Sequence, residues 1–171
     1  FWNGSQMVYG AGFSAADDVV GHELAHGFTN FTSNLFYWYQ SGAINESFSD
    51  VWGEFIDLEN GAGNDTGNVR WLIGEDVAGF GAIRDMSDPP FFGHADRMTS
   101  HLYTCEQTQQ DSIVDDKGGV HSNSGINNKA AYLLTDGGSF NGQVVTGLGI
   151  SKVADLYYEV QTNLLTSGSD Y

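Results

Sequence analysis

The sequence predicts a mainly α-helical chain that begins with a short β-strand or hairpin. Apolar residues recur at spacings of three and four in several long segments, which is the period of a helix buried on one side. Glycine- and proline-rich stretches separate these segments, and an Asn-Gly pair lies among aromatic residues at the start. With 171 residues, of which 40% are hydrophobic and 13% aromatic, the chain can form a core, either as one domain or as part of a larger protein.

The first two helices are the most strongly predicted. Residues 1–13 mix aromatic residues with Asn-Gly and indicate a hairpin or an edge strand. Asp17 and Asp18 then provide the acidic start of a helix that runs to Phe31. A second helix is expected from about Gly42 to Glu59, and its predicted buried stripe contains Ile44, Phe48, Val51, Phe55 and Leu58.

The rest of the chain alternates irregular and helical segments. Residues 60–68 form a turn-rich loop, and residues 69–94 show no regular period. Three further helices are predicted, over Ala95–Tyr103, around Ser124–Thr135 and near Ser151–Leu165.

Charge and cysteine content restrict the classes of partner. The net charge is −16, with three lysines and three arginines, so the surface repels nucleic acid and anionic lipid. No apolar run reaches eighteen residues, which excludes a membrane span. Clustered carboxylates can bind calcium, although a solvated acidic face is the alternative for most of them. Cys105 is the single cysteine and is expected either to be buried or to pair with a cysteine outside this chain.

The stretch Val19–Asn30, VVGHELAHGFTN, contains a metal-binding pattern. Positions four apart lie on one face of a helix, so His22 and His26 project together, and two neutral imidazoles can bind one zinc ion. Glu23 lies one step round the helix, which suits a carboxylate that acts on water rather than on the metal. The alternative is that two ordinary histidines fall at this spacing by chance.

A catalytic zinc site needs a third protein ligand, and the second helix offers one in GAINESFSD. Glu46 follows His26 by enough residues for a turn and an antiparallel return. Asp50 lies one helical turn after Glu46, where it can accept the outer N–H of a ligating histidine. Solvated helix carboxylates are the alternative, but the segment around Glu46 is largely apolar, so we favour the zinc site.

HELAH followed at this distance by GAINESFSD resembles the thermolysin family of zinc metalloendopeptidases. The resemblance continues through FWNGSQMVYG, GEDV, RDMSDP and GGVHSNSGINNKAAYLL. It implies a thermolysin-like helical catalytic segment after a short N-terminal strand or hairpin. It also implies a secreted neutral endopeptidase that uses one zinc ion to cut peptides and proteins on the amino side of bulky apolar residues.

The resemblance implies a role for each matching residue. His22, His26 and Glu46 correspond to the zinc ligands and Glu23 to the general base. Three further residues correspond to the groups around the oxyanion: Tyr37 and His121 bind it, and Asp116 orients His121. Arg84 corresponds to the residue that binds a substrate carbonyl. Val19 and Ile83 correspond to residues of an apolar pocket, and Trp2 lies in the edge strand that binds the substrate. From the residues alone, His121 reads as a loop histidine, Tyr37 as core and Arg84 as a surface ion pair.

The same resemblance implies calcium binding. Four carboxylates fall in or next to the family's calcium positions, namely Asp18, Asp57, Glu75 and Asp76. Arg70 and Leu72 stand where some relatives have further acidic ligands, so we expect one structural calcium ion.

The resemblance also suggests a domain organisation. Residues 1–16 are expected to be the remnant edge strand or hairpin of an upstream β-rich domain of the same protease. Residues 17–171 are expected to be a helical zinc-binding catalytic domain that is incomplete at its C-terminus. The alternatives are a catalytically weak or inactive zinc- and calcium-binding fragment of such a protease, and an acidic calcium-binding module. Glu23 argues against a purely structural zinc site, which needs no base.

Overall fold

Four α-helices form the framework of the structure, a computed structural model that describes residues 1–105 and 116–171. They are α1 (Asp17–Asn30), α2 (Tyr39–Asn60), α3 (Asp116–Asp136) and α4 (Ile150–Glu159), and α4 continues into a π-helical turn, Val160–Leu164. Near the start of α3, Lys117, Gly118 and Gly119 have a left-handed rather than a helical backbone. Short 3₁₀ turns lie at Phe13–Ala15 and Pro89–Phe92. The predicted mainly helical fold is confirmed, and none of the described helices is long and apolar enough to cross a membrane.

The strands are short and antiparallel. β1 (Leu72–Ile73) pairs with β2 (Arg84–Asp85), and β3 (Gly137–Phe140) pairs with β4 (Gln143–Thr146). At the N-terminus, Trp2 and Met7 form one antiparallel bridge, in the segment where a hairpin is predicted. The sequence analysis did not predict these two strand pairs. β1 and β2 are two residues each and show no measurable alternation, whereas the Asn141-Gly142 pair between β3 and β4 was a hairpin signal that it missed.

The helix predicted over Ala95–Tyr103 is wrong. These residues form turns and extended chain, with isolated turn bonds from Ser100 to Arg97 and from Tyr103 to Ser100 rather than a helical ladder. The Ala95 N–H donates to the Ser122 carbonyl at 2.9 Å. Close by, Thr104 and Asn123 exchange two hydrogen bonds of 2.9 Å. Tertiary pairing therefore overrides the local helical period.

Helices α1 and α2 lie antiparallel and unusually close. Asp17 bonds to Asn60 near one end of the pair, and His26 bonds to Asn45 near the other. Midway, a Cβ added to Gly53 would lie 2.4 Å from the Asp18 carbonyl oxygen. Only glycine permits this approach, which brings the histidine face of α1 against α2.

The core is built around α2, as its apolar stripe predicts. Ile44, Phe48, Val51 and Phe55 are buried, and Leu58 is partly buried against them. The cluster is completed by side chains from the hairpin region, α3 and α4, among them Trp71, Ile73, Met86, Ala131, Val153 and Tyr157.

Cys105 is exposed. Of the two alternatives given for it, a buried thiol is therefore wrong, and pairing with a cysteine outside this chain stays a prediction.

Candidate metal centre

His22, His26 and Glu46 converge on one point between α1 and α2. The Nε2 atoms of the two histidines are 3.0 Å apart. Each lies 3.4 Å from an oxygen of the Glu46 carboxylate. The structure therefore brings together the three residues that the sequence analysis predicts as zinc ligands.

Hydrogen bonds on the opposite ring nitrogens set the tautomers of the histidines. His22 Nδ1 lies 2.8 Å from Asp50 Oδ1, and His26 Nδ1 lies 2.8 Å from Asn45 Oδ1. Both partners accept, so in the neutral rings Nδ1 carries the hydrogen and Nε2 presents a lone pair. Two lone pairs then face each other at hydrogen-bond distance with no proton between them.

This donor set fits a zinc ion. Glu46 Oε2 is buried without a hydrogen-bond partner, which leaves a third set of lone pairs unsatisfied at the same point. Buried acceptors that face one another are stabilised only by a proton or a cation. Two imidazoles and a carboxylate with one open side are a ligand set that catalytic zinc sites use.

The electrostatics of the triad also favour a cation. Burial opposes protonation of His22, but Asp50 and Glu46 outweigh it and raise the pKa of His22 to about 9. Burial alone would raise the pKa of Glu46, whereas His22, His26 and the charge of His121 lower it well below its usual value. The potential at the site is therefore strongly negative.

Asp50 is held behind His22 by a buried network. Arg84 donates to both Asp50 oxygens, at 2.8 and 2.6 Å, and Asn128 of α3 donates to Oδ2 at 2.8 Å. Burial would raise the pKa of Asp50, but the charge of Arg84 and the bond with His22 lower it. Asp50 therefore stays ionised and fixes the orientation of the His22 ring.

A cleft of about 590 Å³ opens in front of the three metal-facing side chains. Glu23 lines it, and its Oε2 atom is buried without a partner. Trp2 lines the same cleft and packs over Gly27 on α1, with its indole N–H unpartnered. Both residues are therefore placed where a bound peptide can reach them.

Tyr37, His121 and Asp116 form the opposite side of the cleft. The Tyr37 hydroxyl donates to Glu46 Oε1 and lies 3.4 Å from His121 Nε2. His121 Nδ1 lies 2.5 Å from Asp116 Oδ1, and the backbone N–H of His121 donates to Asp116 Oδ2 at 2.8 Å. Burial lowers the pKa of His121, but Asp116 and the charge of Glu46 raise it above its usual value. His121 can thus carry the proton that a donor needs.

The predicted substrate-binding residues Val19, Ile83 and Arg84 lie in three different environments. Val19 packs with Ala16 and Val77 in a small apolar cluster, whereas Ile83 packs against the main core. Arg84 does not line the cleft in the described part of the chain, and its guanidinium is occupied by Asp50.

The carboxylates that lie together in the structure differ from the predicted calcium ligands. Carboxylate oxygens of Asp57 and Asp76 lie together with Asp17, not with Asp18, whose oxygens accept the N–H groups of Val19 and Gly74. Burial, and then the hydrogen bond and charge of Asp17, raise the pKa of Asp57 to about 9. Glu75 is adjacent, and burial with nearby carboxylates raises its pKa to about 8.

Sequence analysis missed three residues of these sites. Asn45 orients His26, and the need of every ligating histidine for an outer partner was the signal for it. Asp17 joins the acidic cluster, but only the rotation of α1 reveals this. Lys117 lines the cleft, and no sequence pattern marks it.

Comparisons with known proteins agree on one family. A family model described as "Thermolysin metallopeptidase, alpha-helical domain" matches residues 33–171, and one described as "Thermolysin metallopeptidase, catalytic domain" matches residues 1–30. A zinc metalloproteinase of Renibacterium salmoninarum is 49% identical over 99% of this chain and 30% of its own length. A bacillolysin of Bacillus caldolyticus is 44% identical over 100% of this chain and 31% of its own length.

A solved structure shows the same fold. The precursor of protealysin, a metalloproteinase from Serratia proteamaculans, aligns with a TM-score of 0.72 and 34% identity. The alignment covers 100% of this chain and 54% of that chain. The chain therefore spans about a third of its curated relatives and about half of this structure.

Proposed function

Because the chain belongs to the thermolysin family of metallopeptidases, we propose that it is the helical catalytic part of a zinc-dependent endopeptidase. The observation that carries this proposal is the convergence of two Nε2 lone pairs and the unpartnered Glu46 oxygen at the floor of a cleft. A site for structure alone needs neither a cleft nor the carboxylate of Glu23 beside it.

His22, His26 and Glu46 hold the zinc ion in this proposal. When bound there, zinc acts as a Lewis acid that lowers the pKa of water to about 7. Asp50 and Asn45 keep the two imidazoles in the ligating tautomer.

The remaining groups act on the peptide and its protons. Glu23 takes a proton from the attacking water and later delivers it to the leaving amine. Tyr37 and His121 donate hydrogen bonds to the carbonyl oxygen as negative charge develops on it. Asp116 positions His121 through the bonds to its ring and its backbone.

We propose a preference for a bulky apolar residue after the cut bond. Two apolar groups support it, namely Val19 with Ala16 and Val77, and Ile83 against the main core. We propose that Trp2 lies along the bound peptide. We also propose that Arg84 binds a substrate carbonyl in addition to holding Asp50. Secretion to the extracellular space is part of the same proposal.

We also propose one structural calcium ion at the acidic cluster. Asp57 and Asp76 are the predicted ligands that the structure brings together, and Asp17 joins them. Buried oxygens of Glu75 and Asp65 in this region have no hydrogen-bond partner, which fits an oxygen-binding cation. Asp18, at the start of α1, binds the N–H groups of Val19 and Gly74 beside this site rather than the ion. Calcium should raise the melting temperature without replacing zinc, since it binds only the native state.

The domain boundaries remain a proposal. Residues 1–16 are assigned to the edge of an upstream β-rich domain, and residues 17–171 to the helical zinc-binding domain. The second candidate is a catalytically weak or inactive fragment of such a protease that binds zinc and calcium.

The test combines metal analysis with hydrolysis of a blocked apolar dipeptide amide, with and without a zinc chelator. Glu23→Gln should retain zinc yet reduce turnover by orders of magnitude, whereas Glu46→Ala should reduce zinc affinity itself. Glu59→Gln, an exposed carboxylate on α2, is the control. Near-normal turnover by Glu23→Gln at full zinc occupancy would falsify the assigned mechanism.

A further inference from the structure

Lys117 is the one lysine or arginine that lines the cleft in the described part of the chain. Among the other cations, Arg70, Arg84 and Arg97 pair with aspartates. Lys129 donates to the Ser87 carbonyl, and Lys152 is exposed on α4. Lys117 has no ion-pair partner among the described residues. In a chain of net charge −16, an ammonium at the cleft without an ion pair to any described residue is a local exception.

The ammonium of Lys117 is held by aromatic rings. Its Nζ atom lies 4.3 Å from the centre of the Tyr37 ring and 5.8 Å from that of Trp38. Cation–π contacts of this kind orient an ammonium and leave its N–H groups available to a carboxylate. The aromatic rings therefore orient the Lys117 side chain but leave its ammonium N–H groups available to a ligand.

The backbone at this position is strained. Asp116 and Lys117 have φ of 54° and 51°, and Gly118 and Gly119 continue the left-handed turn. A lysine rarely adopts this conformation, which is unfavourable for any residue with a Cβ. The turn is also packed tightly, because a Cβ on Gly118 would lie 2.2 Å from the Tyr39 ring. The fold thus holds Lys117 in an unfavourable conformation beside the reacting groups.

Lys117 lies at the opposite end of the centre from the apolar pocket. Val19 is one helical turn before His22 on α1, whereas the Tyr37 ring packs against His26, one turn after it. The apolar pocket is proposed to take the residue after the cut bond. A group near Lys117 therefore belongs to the residues before it.

We propose that Lys117 is a specificity-determining residue that binds a carboxylate of the peptide, on one of the two residues before the cut bond. This inference rests on the proposed endopeptidase function and narrows its substrate class to peptides with Glu or Asp there. Elsewhere the acidic surface repels such peptides, so among the described lysines and arginines the preference depends on Lys117.

The experiment uses the zinc-loaded full chain and paired blocked peptides with Glu or Gln at each of those two positions and a bulky apolar residue after the bond. The ratio of kcat/KM for the Glu and Gln peptides is compared in four proteins: the unmodified chain, Lys117→Asn, Lys117→Arg and Lys152→Met. Asparagine tolerates the left-handed backbone, so Lys117→Asn removes the charge without adding strain. Lys152→Met removes the same charge from an exposed position.

A roughly threefold to tenfold preference for Glu is expected, since a partly exposed charge pair contributes modestly. Lys117→Asn should abolish the preference, and Lys117→Arg and Lys152→Met should keep it. Raising the salt concentration should weaken it. An unmodified chain without preference for Glu, or a preference that survives in Lys117→Asn, overturns the proposal.

Binding separates this proposal from the proposed function. The same peptides are titrated against zinc-loaded Glu23→Gln, with and without Lys117→Asn, so that no turnover is needed. Absence of hydrolysis together with charge-selective binding would contradict the endopeptidase function and leave the role of Lys117 supported. Hydrolysis without charge-selective binding would support the endopeptidase function and contradict the role of Lys117.

Discussion

At His22 and His26, the partner of Nδ1 determines what Nε2 can do. Asp50 and Asn45 accept from the outer nitrogens at 2.8 Å each, so the inner nitrogens are left as acceptors. The chemistry of the centre therefore depends on residues that would not themselves touch the metal. On the far side of the cleft, Asp116 likewise orients His121 through hydrogen bonds to its ring and its backbone N–H.

The first prediction at this scale concerns pH. Burial alone would lower the pKa of His121, and the Asp116 carboxylate and the charge of Glu46 raise it. His121 must keep its proton to donate, so activity should fall as pH rises through that pKa. Asp116→Asn removes the raising partner, so the alkaline limb of the kcat/KM profile should move to lower pH.

The control for this prediction is Asp88→Asn, an exposed aspartate, which should leave the profile unchanged. An alkaline limb that stays in place in Asp116→Asn would show that another group sets it.

At the scale of elements, the contact of α1 with α2 builds the centre. Gly53 lets the Asp18 carbonyl approach, and the two helices then place His22 and His26 opposite Glu46. A methyl group at Gly53 would collide with backbone, which cannot move aside as a side chain does. The position of the ligands is thus coupled to helix packing.

Gly53→Ala should lower stability by about 1–3 kcal/mol, as overpacking does, and should weaken zinc binding because α1 is displaced. Gly27→Ala is the matched control within α1, since its Cβ would lie 3.5 Å from Trp2, an ordinary contact. Thermal melts and zinc titrations measure both effects. Equal zinc affinity in the two variants would contradict the coupling.

The acidic end of α2 leads to a prediction about stability. Glu54 is buried, and burial with the charges of Glu75 and Asp57 raises its pKa to about 9. In the unfolded chain this carboxyl titrates near pH 4.5, so folding keeps a proton that the unfolded state has lost. The stability contributed by the protonated group is full below about pH 4.5 and is lost as pH rises toward 9.

Glu54→Gln cannot lose this proton, so its stability should not fall over that range. In a calcium chelator, the variant and the unmodified chain should melt alike near pH 4.5, and the variant should be more stable by about 1–3 kcal/mol at pH 8. Glu59→Gln, exposed on the same helix, should behave like the unmodified chain. A difference that does not grow with pH would refute the assignment.

At the scale of the whole molecule, the described helices leave an apolar groove uncovered. Leu24, Ile56 and Tyr158 are exposed around this groove of about 220 Å³, which lies behind α1 and α2. Exposed apolar patches of this kind favour association.

We therefore expect the 171-residue chain to bind zinc but to hydrolyse peptides poorly. Joining it to the upstream domain of a relative should raise kcat/KM at least tenfold, because positioning the peptide contributes strongly to the rate. The two proteins are assayed side by side at equal zinc occupancy, and the chain bearing Leu24→Ser controls for association. Comparable kcat/KM values would show that the chain is a complete minimal enzyme.

The sequence by itself determined the helical class, α1, α2 and the three metal-facing residues. This is because helical periodicity is local: a spacing of four places His22 and His26 on one face, and the apolar stripe of α2 selects its buried side. The predicted bounds of both helices lie within about three residues of those observed, as is usual for helix ends.

Only the tertiary structure decided the rest, because it depends on contacts between distant segments. Residues 95–103 form turns instead of the predicted helix, and the segment is tied to α3 at both ends, by Ala95 to Ser122 and by Thr104 to Asn123. Asp17 rather than Asp18 joins the acidic cluster because Gly53 sets the distance and rotation of α1. Lys117 reaches the cleft because a left-handed turn, packed against Tyr39 through Gly118, directs it over the Tyr37 ring. No local pattern encodes such a turn or what lies opposite it.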